Sequence, residues 1–311
     1  MTLPKISSEY IDPHTYPKGI AYVDEQYLDI SKGKVSILDY GFLHSDATYD
    51  VVHVWKGSFF RLELYLERFF SGIEKLNMNI PYSKEEVSTI LHNCVALSGH
   101  RDAYVEMICT RGNSPSFSRD PRDAINRFMV FAVPFGSIAN PKQMKLGLHA
   151  VISPTVRIPP DSIDPSIKNY HWLDLVNGLF DAYEQGGETA ILLDSSGNVT
   201  EGPGFNIFCV KDNIIKTPEI GVLPGITRRT IFDLCSDLNI ICKTTTVTPT
   251  ELQNADEVFI SSTAGGIMPI TRINQIHIGD GNTGPLFQML KDAYWDKHLN
   301  SDWCMPINYD N

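Results

Sequence analysis

The sequence predicts an α+β protein of two domains, and three observations point there. At 311 residues the chain is longer than one hydrophobic core usually serves. Strand-like and helix-like segments are mixed without a regular β-α-β alternation, which disfavours a doubly wound parallel sheet. Near the middle, PFGSIANPKQM gathers proline, glycine and polar residues. Residues 135–143 therefore read as a linker between a domain over 1–134 and a second over 144–311.

The elements follow in order. Residues 1–17, polar and proline-rich, read as an arm. GIAYVDEQYLDI and TYDVVHVWKGSFFRL read as a meander of short strands, with turns at Asp24–Glu25 and Lys56–Gly57 between β-prone runs. LELYLERFFSGIEKL then brings Leu62, Tyr65, Leu66, Phe69, Ile73 and Leu76 together at helical spacing. Ser83 with Glu86 three residues on is a capping box, and the helix it opens stops at Gly99. DAYVEMICTRG and RFMVFAVPFG are strands around a polar loop. Beyond the linker, KLGLHAVI reads as a strand and NYHWLDLVNGLFDAYEQG as a helix. TAILLDSSGNVTEGPGFNIFCV reads as a hairpin turning at Ser196–Gly197. After LPG, ITRRTIFDLCSDL is a helix, and NIICKTTTV and EVFISST are strands. A glycine turn follows, and PLFQMLKDAYWDKHL closes as a helix.

Composition narrows the class. A hydrophobic share of 42% with 20% charged residues suits a globular protein and argues against wholesale disorder. A net charge of -11 repels phosphate backbones, so nucleic acid is a poor partner, although a few local donors can still bind one phosphate. The six cysteines form no C-x-x-C pair and no zinc spacing; Cys109 and Cys209 lie in apolar runs as small core residues. That usage points to a reducing compartment without a disulfide framework and without a metal site. The N-terminus lacks the apolar stretch of a secretory signal, and no apolar run approaches the ~20 residues that span a bilayer. The expected setting is the cytosol.

Several residues could carry chemistry. Lys168, in DPSIKNYHWLDL, precedes an aromatic-rich segment in which Ile167, Tyr170 and Trp172 could wall it off from water. A lysine that joins an aldehyde must lose its proton, which desolvation or nearby positive charge promotes. Glu201, in NVTEGPGFNIF, is a carboxylate beside two glycines that allow close approach of a ligand. Gly225, Ile226 and Thr227 open a helix, whose N–H groups and dipole suit a phosphate. Ser262, Thr263 and Ala264 offer hydroxyls and backbone donors where a strand breaks into glycines. Arg68, on the exposed side of the first long helix, has the fork that phosphate recognition uses. Taken singly, each is most simply a solvated charge, a plain cap or a plain turn.

Read in order, the blocks F-F-R-L…E-R-F, I-K-N, T-E-G-x-G-F-N, G-V-L-P-G-I-T-R and S-T-A-G-G-I-M-P-I are specific. From about Gly19 to the C-terminus the chain resembles the class IV pyridoxal 5'-phosphate (PLP) transaminases. These include branched-chain amino-acid, D-amino-acid and (R)-selective amine transaminases and a PLP lyase. DYGFLHSDATYDVVHVWKGSFFRL and SSTAGGIMPI are most similar to the (R)-selective amine branch. The resemblance implies PLP fold type IV, of the D-amino-acid aminotransferase kind: a small N-terminal α/β domain and a larger pseudo-barrel, with PLP between them. It also implies a homodimer that shares loops between sites. Lys168 would be the Schiff-base lysine and proton shuttle. Glu201 would pair with the pyridine nitrogen. Arg68, Ile226, Thr227 and Thr263 would hold the phosphate, and Leu223 would pack on the ring. His44, Tyr49 and Trp172 would line the substrate pocket, with Ala264 beside them.

One position departs from that branch. Its amine transaminases carry an arginine after T-R-G that pairs with the keto-acid carboxylate, and counting along T-R-G-N-S-P-S-F puts Phe117 there. Arg119 and Arg122 lie just beyond as replacements. The expected reaction is transfer of an amino group from an (R)-amine or D-amino donor to a keto acid such as pyruvate. A branched-chain or D-amino-acid transaminase and a PLP lyase are the alternatives within the fold. A non-catalytic small-molecule binding protein is the alternative outside it, but such a module would need neither Lys168 nor Glu201.

Overall fold

The computed structural model describes residues 16, 18–299 and 302–310. The arm expected over residues 1–17 lies outside them, apart from Tyr16. The chain forms two compact units. Unit one takes residues 1–136, 167–170 and 298–311; unit two takes 137–166 and 171–297. The predicted α+β class holds, since each unit is one sheet with helices packed on it.

In unit one, β1 (Ile20–Val23) and β2 (Gln26–Asp29) form a hairpin through Asp24 and Glu25, both at positive φ. That is the turn whose twist matches two antiparallel strands. A short helix, α1 (Tyr40–His44), leads into β3 (Ala47–Trp55), which turns through Lys56–Gly57 into β4 (Ser58–Phe60). The helix α2 (Leu62–Lys75) buries Leu62, Tyr65, Leu66, Phe69 and Ile73, the expected face, against β3. The helix α3 (Lys84–Ser98) has the Ser83/Glu86 capping box and ends at Gly99 in the left-handed region. Two long strands, β5 (Ala103–Asn113) and β6 (Ile125–Pro134), complete the run.

A seventh strand, Cys304–Pro306, has no counterpart in the sequence reading. It pairs with β4 at the sheet edge, giving the order 304–306, β4, β3, β5, β6, β1, β2, all antiparallel. The segment leading to it is well anchored. His298 stacks on Phe60 at 3.6 Å, its Nε2 lies 2.7 Å from His53 Nε2, and Arg61 sits 4.2 Å over the Trp303 ring. Burial, and after it the charge of His298, depress the His53 pKa, so His53 is the neutral member of the pair.

Unit two opens on α4 (Pro141–Leu146), inside the stretch read as linker and strand. Asn140 and Gln143 make a capping box and Pro141 occupies the first turn, a start signal hidden by its proline and polar composition. β7 (Leu148–Val156) follows. The helix read from Asn169 begins only at Leu173 (α5, Leu173–Glu184), because Asn169 is instead bridged to Thr48 in extended backbone. The single hairpin read over 189–210 is two reversals. β8 (Thr189–Leu193) turns at 195–197, and β9 (Glu201–Gly202) turns again at 203–204 into β10 (Phe205–Lys211). Then come β11 (Ile214–Pro218), α6 (Ile226–Asp237), β12 (Cys242–Thr245) and α7 (Pro249–Gln253). β13 (Glu257–Ser262), β14 (Gly266–Ile273), β15 (Ile276–His277) and α8 (Pro285–Lys297) close the unit.

The main path of this mixed sheet runs β12, β11, β10, β13, β14, β7, β8. The sequence reading misses β14 because its glycines and Pro269 resemble a turn; Pro269 lies just before β14 gains its second neighbour at Ile270↔Leu148. One face of β10 and β13 packs Ile207, Cys209, Val258 and Ile260 into the core; Phe208 and Phe259 stack on the other, with Phe287 of α8 beside them. No helix among the described residues is long and apolar enough to cross a membrane.

Gly112 marks a break in the β5–β6 register between Thr110 and Asn113. Its φ is +74°, and a Cβ there would lie 1.8 Å from the Ile125 carbonyl oxygen, on rigid backbone. Gly112→Ala should therefore destabilise the protein by about 1–3 kcal/mol from the backbone conformation alone, with the overlap adding to it. Chemical denaturation of the two proteins measures this, and an unchanged midpoint would contradict it.

Candidate active site

In unit one, β3 fixes Lys168 by its backbone. The Lys168 carbonyl accepts from the Tyr49 N–H at 3.1 Å and from Thr48 Oγ1 at 2.9 Å. With both bonds on one carbonyl and Asn169 bridged to Thr48, the backbone at 168–169 is held along β3 and the Lys168 side chain is left to point elsewhere. Its ammonium lies 4.5 Å from the centroid of the Tyr49 ring and makes no hydrogen bond or ion pair among the described residues. Tyr49 in turn stacks on Tyr170, 4.2 Å apart and 9° from parallel.

Tyr170 donates to Glu106 Oε1 at 2.6 Å and Tyr104 to Oε2 at 3.0 Å. Burial raises the Glu106 pKa, while the two phenols and the Lys168 charge pull the other way without cancelling it. Both phenols are pushed up, first by burial and then by the carboxylate they face, so each acts as a donor.

Arg68 is not on an exposed face. Its Nε and Nη2 each lie 2.8 Å from an oxygen of Asp50, a buried residue of β3. Helical spacing could not reveal this, because the partner belongs to a strand 18 residues earlier. Burial opposes the charge on Arg68, and Asp50 more than restores it, so its pKa is raised.

In unit two, Glu201 is buried. Its Oε2 accepts from the Leu223 N–H at 2.9 Å, and its Oε1 lies 3.2 and 3.3 Å from Nη2 and Nε of Arg157. Asn206 Nδ2 donates to the Leu223 carbonyl at 2.9 Å, which ties this loop to β10. Leu223 leads to Gly225, the N-cap of α6, where a Cβ would stand 2.1 Å from Asn206 Oδ1. Only glycine fits, so α6 starts without a side-chain cap. The N–H groups of Ile226 and Thr227 point out of the helix start with no acceptor among the described residues. Thr227 Oγ1 is buried there and has no partner among those residues either.

Ser262 Oγ donates to the Gly204 carbonyl at 2.8 Å and accepts from the Ala264 N–H at 3.2 Å, shaping the turn that carries Thr263. Trp172 lies over Gly204, its Cη2 3.5 Å from where a Cβ would be.

The remaining candidates lie in exposed places. His44 ends α1, with its ring 4.8 Å from that of Tyr40. Phe117 is 64% exposed with φ +54°. Arg119 is exposed and unpaired among the described residues, and Arg122 pairs with Asp120.

Sequence reasoning missed Asp50, Glu106, Arg157 and Asp174. A charge inside an apolar strand, as in TYDVVHV and YVEMIC, is the available signal for the first two, because a buried charge needs a partner. Arg157 and Asp174 carry no such mark. No three His, Cys, Asp or Glu side chains among the described residues cluster as a metal ion would need.

A family model described as amino-transferase class IV matches residues 47–273. A putative branched-chain-amino-acid aminotransferase of Methanocaldococcus jannaschii is 30% identical over 289 residues, 92% of this chain and 98% of that protein. A D-alanine aminotransferase of Listeria monocytogenes is 31% identical over 275 residues, 88% of this chain and 93% of its own. In fold, the chain superposes with a TM-score of 0.84 on the branched-chain amino acid aminotransferase of Thermobaculum terrenum in its PLP form. That match covers 94% of this chain and 99% of the other at 24% identity.

Glu106 has a consequence for pH dependence. Its folded pKa is raised above the ordinary 4.5, so the stability it contributes is complete below that value and is lost as pH rises through the folded pKa. Glu106→Gln removes this loss. The cofactor-free variant should gain stability relative to wild type as pH rises above the ordinary glutamate range in urea unfolding. Parallel curves would contradict the shift.

Proposed function

Because this chain belongs to the class IV aminotransferases, enzymes that use pyridoxal 5'-phosphate, we propose that it moves an amino group from an (R)-amine or D-amino donor to a keto acid such as pyruvate. The residues present suit the cofactor. The unpartnered Thr227 hydroxyl and the bare start of α6 behind Gly225 match a phosphate, and the unpaired Lys168 amine matches an aldehyde. When bound, the cofactor supplies that aldehyde and an electron-withdrawing ring.

Each residue then has a task. Lys168 binds the cofactor covalently and carries the proton between the two carbons of the shift. Glu201 keeps the ring nitrogen protonated. Arg68, Ile226, Thr227 and Thr263 hold the phosphate, and Leu223 packs on the ring. Tyr49, Trp172, His44, Ala264 and Phe117 shape the substrate space, and Arg119 answers the keto-acid carboxylate.

The observation that carries the amine reading is Glu106. The ionisable group linked to Lys168 through Tyr49 and Tyr170 is a carboxyl and not an arginine. A carboxyl disfavours a second carboxylate and suits an amine donor without one. The names of the relatives favour a second reading, a branched-chain or D-amino-acid transaminase, in which every substrate carries a carboxylate.

The same proposal includes a homodimer, supported by the exposed Leu173, Phe180 and Tyr183 on α5 and by Phe42 on α1. It places the enzyme in the cytosol, consistent with six free thiols. It divides the chain at residues 135–143.

A donor panel decides between the readings. (R)-1-phenylethylamine with pyruvate should react; preference for the (S)-amine, or turnover of D-alanine or leucine only, would reject the amine reading. Lys168→Ala should abolish turnover and keep the melting temperature, since β3 holds the backbone of this residue and not its side chain. Borohydride reduction should label Lys168, and a label on another lysine would reject the assignment. Arg119→Ala should raise KM for pyruvate by roughly 1.5–3 kcal/mol in free energy, the worth of a hydrogen bond to a charged group, and spare the amine half-reaction. Unchanged pyruvate kinetics would reject its role.

A further inference from the structure

Arg157 follows directly on β7, and its backbone N–H is bound to the Leu193 carbonyl of β8 at 2.9 Å. Its side chain is anchored at both ends of the fork. Nη1 donates to Asp174 Oδ2 at 2.6 Å, and Nε and Nη2 reach the same oxygen of Glu201 at 3.3 and 3.2 Å. Asp174 is itself fixed in the first turn of α5, where it accepts from the Ile158 N–H at 2.9 Å and the Leu175 N–H at 2.8 Å. The other oxygen of Glu201 takes the Leu223 N–H. Thus the end of β7, the start of α5, the two-residue strand β9 and the loop before α6 converge on one buried carboxylate.

The charges make this more than packing. Two carboxylates share one guanidinium, so the hydrogen-bonded cluster carries a net charge of -1. Burial works against the charge on Arg157, and the two carboxylates more than restore it, so the guanidinium stays charged. A second buried guanidinium, Arg228, also feels Glu201, but it donates to Thr217 Oγ1 and the Pro218 carbonyl, and Glu219 is its other acidic neighbour.

We propose that Arg157 is a positioning residue: held by Asp174, it orients the Glu201 carboxylate and sets how strongly that carboxylate holds the proton on the cofactor's ring nitrogen. This rests on the role given to Glu201 above. Arg157 draws charge from Glu201 and so weakens its hold; Asp174 draws on Arg157 and so strengthens it.

The two neighbours therefore have opposite effects, which a purely structural pair would not. The 15N chemical shift of the ring nitrogen of the bound, isotope-labelled cofactor, followed against pH, reads this without turnover. Arg157→Gln should move the midpoint up and Asp174→Asn should move it down, each by about one pH unit, a tenfold change in proton affinity. Arg157→Lys keeps the charge and should restore the wild-type midpoint.

Lower melting temperatures with unmoved midpoints in both variants would overturn the proposal, as would shifts of the same sign. If Arg157→Gln does not fold, Asp174→Asn against Arg157→Lys decides in the same way. Glu201→Gln separates the two levels. If its midpoint moves while the Arg157 and Asp174 variants stay put, the positioning role fails alone. If Glu201→Gln binds the cofactor with an unmoved midpoint, the role of Glu201 fails and takes this inference with it.

Discussion

The Glu201 carboxylate is shut away from water and accepts from Arg157 on one oxygen and from the Leu223 N–H on the other. Much of unit two is arranged to make that possible. A buried carboxylate with no partner is costly enough that the fold would expel or neutralise it. Keeping it charged requires a cation that cannot swing away, which is the work of Asp174. It also requires a loop whose backbone turns inward at Leu223. That loop delivers Gly225 to the start of α6, so the same bend that satisfies the carboxylate leaves the helix N-terminus bare. A site for negative charge and a site that holds negative charge are thus built from one stretch of chain, residues 201–227.

Unit one answers the same constraint differently. Asp50 sits in the interior strand β3 and is satisfied by the fork of Arg68 from α2. Glu106, on the neighbouring strand, is met by two phenols in place of a cation. The difference matters chemically. A full ion pair fixes charge at every ordinary pH, whereas phenols stabilise a carboxylate without cancelling it, so Glu106 keeps a proton more readily than a surface carboxylate. The stacked Tyr49 and Tyr170 carry that environment to the side of Lys168.

Local signals in the sequence reveal much of what is decided locally, although the Asn140/Gln143 box of α4 is masked by its proline and polar neighbours. The capping box of Ser83, the positive-φ turns at 24–25 and 56–57, and the buried face of α2 are all properties of a few neighbouring residues. Elements decided by distant partners are not legible. Asn169 opens a stretch read as helix but is bridged to Thr48 of β3, and the helix starts only at Leu173. The strand 304–306 is too short to have a pattern and exists because β4 has a free edge. The candidate site divides in the same way. The ordered blocks around Lys168, Glu201 and Thr227 stand out as short motifs. The ion pairs of Asp50, Arg157 and Asp174 are with partners 17 to 44 residues away, and no spacing rule joins them.

The edge strand at 304–306 bears on how the chain is made. Synthesis proceeds from the N-terminus, and domains generally fold in that order as they leave the ribosome. Unit one cannot follow the rule. Its sheet needs residues 167–170 laid along β3, and 304–306 laid along β4, with His298 stacked on Phe60. Until translation has passed residue 306, β4 remains an open edge able to pair with a neighbouring nascent chain. Unit two, whose segments all lie between 137 and 297, has every residue it requires before unit one does. The half of the protein that emerges first is therefore the half that finishes last, and for the whole interval its unfinished edge is what a chaperone would have to shield.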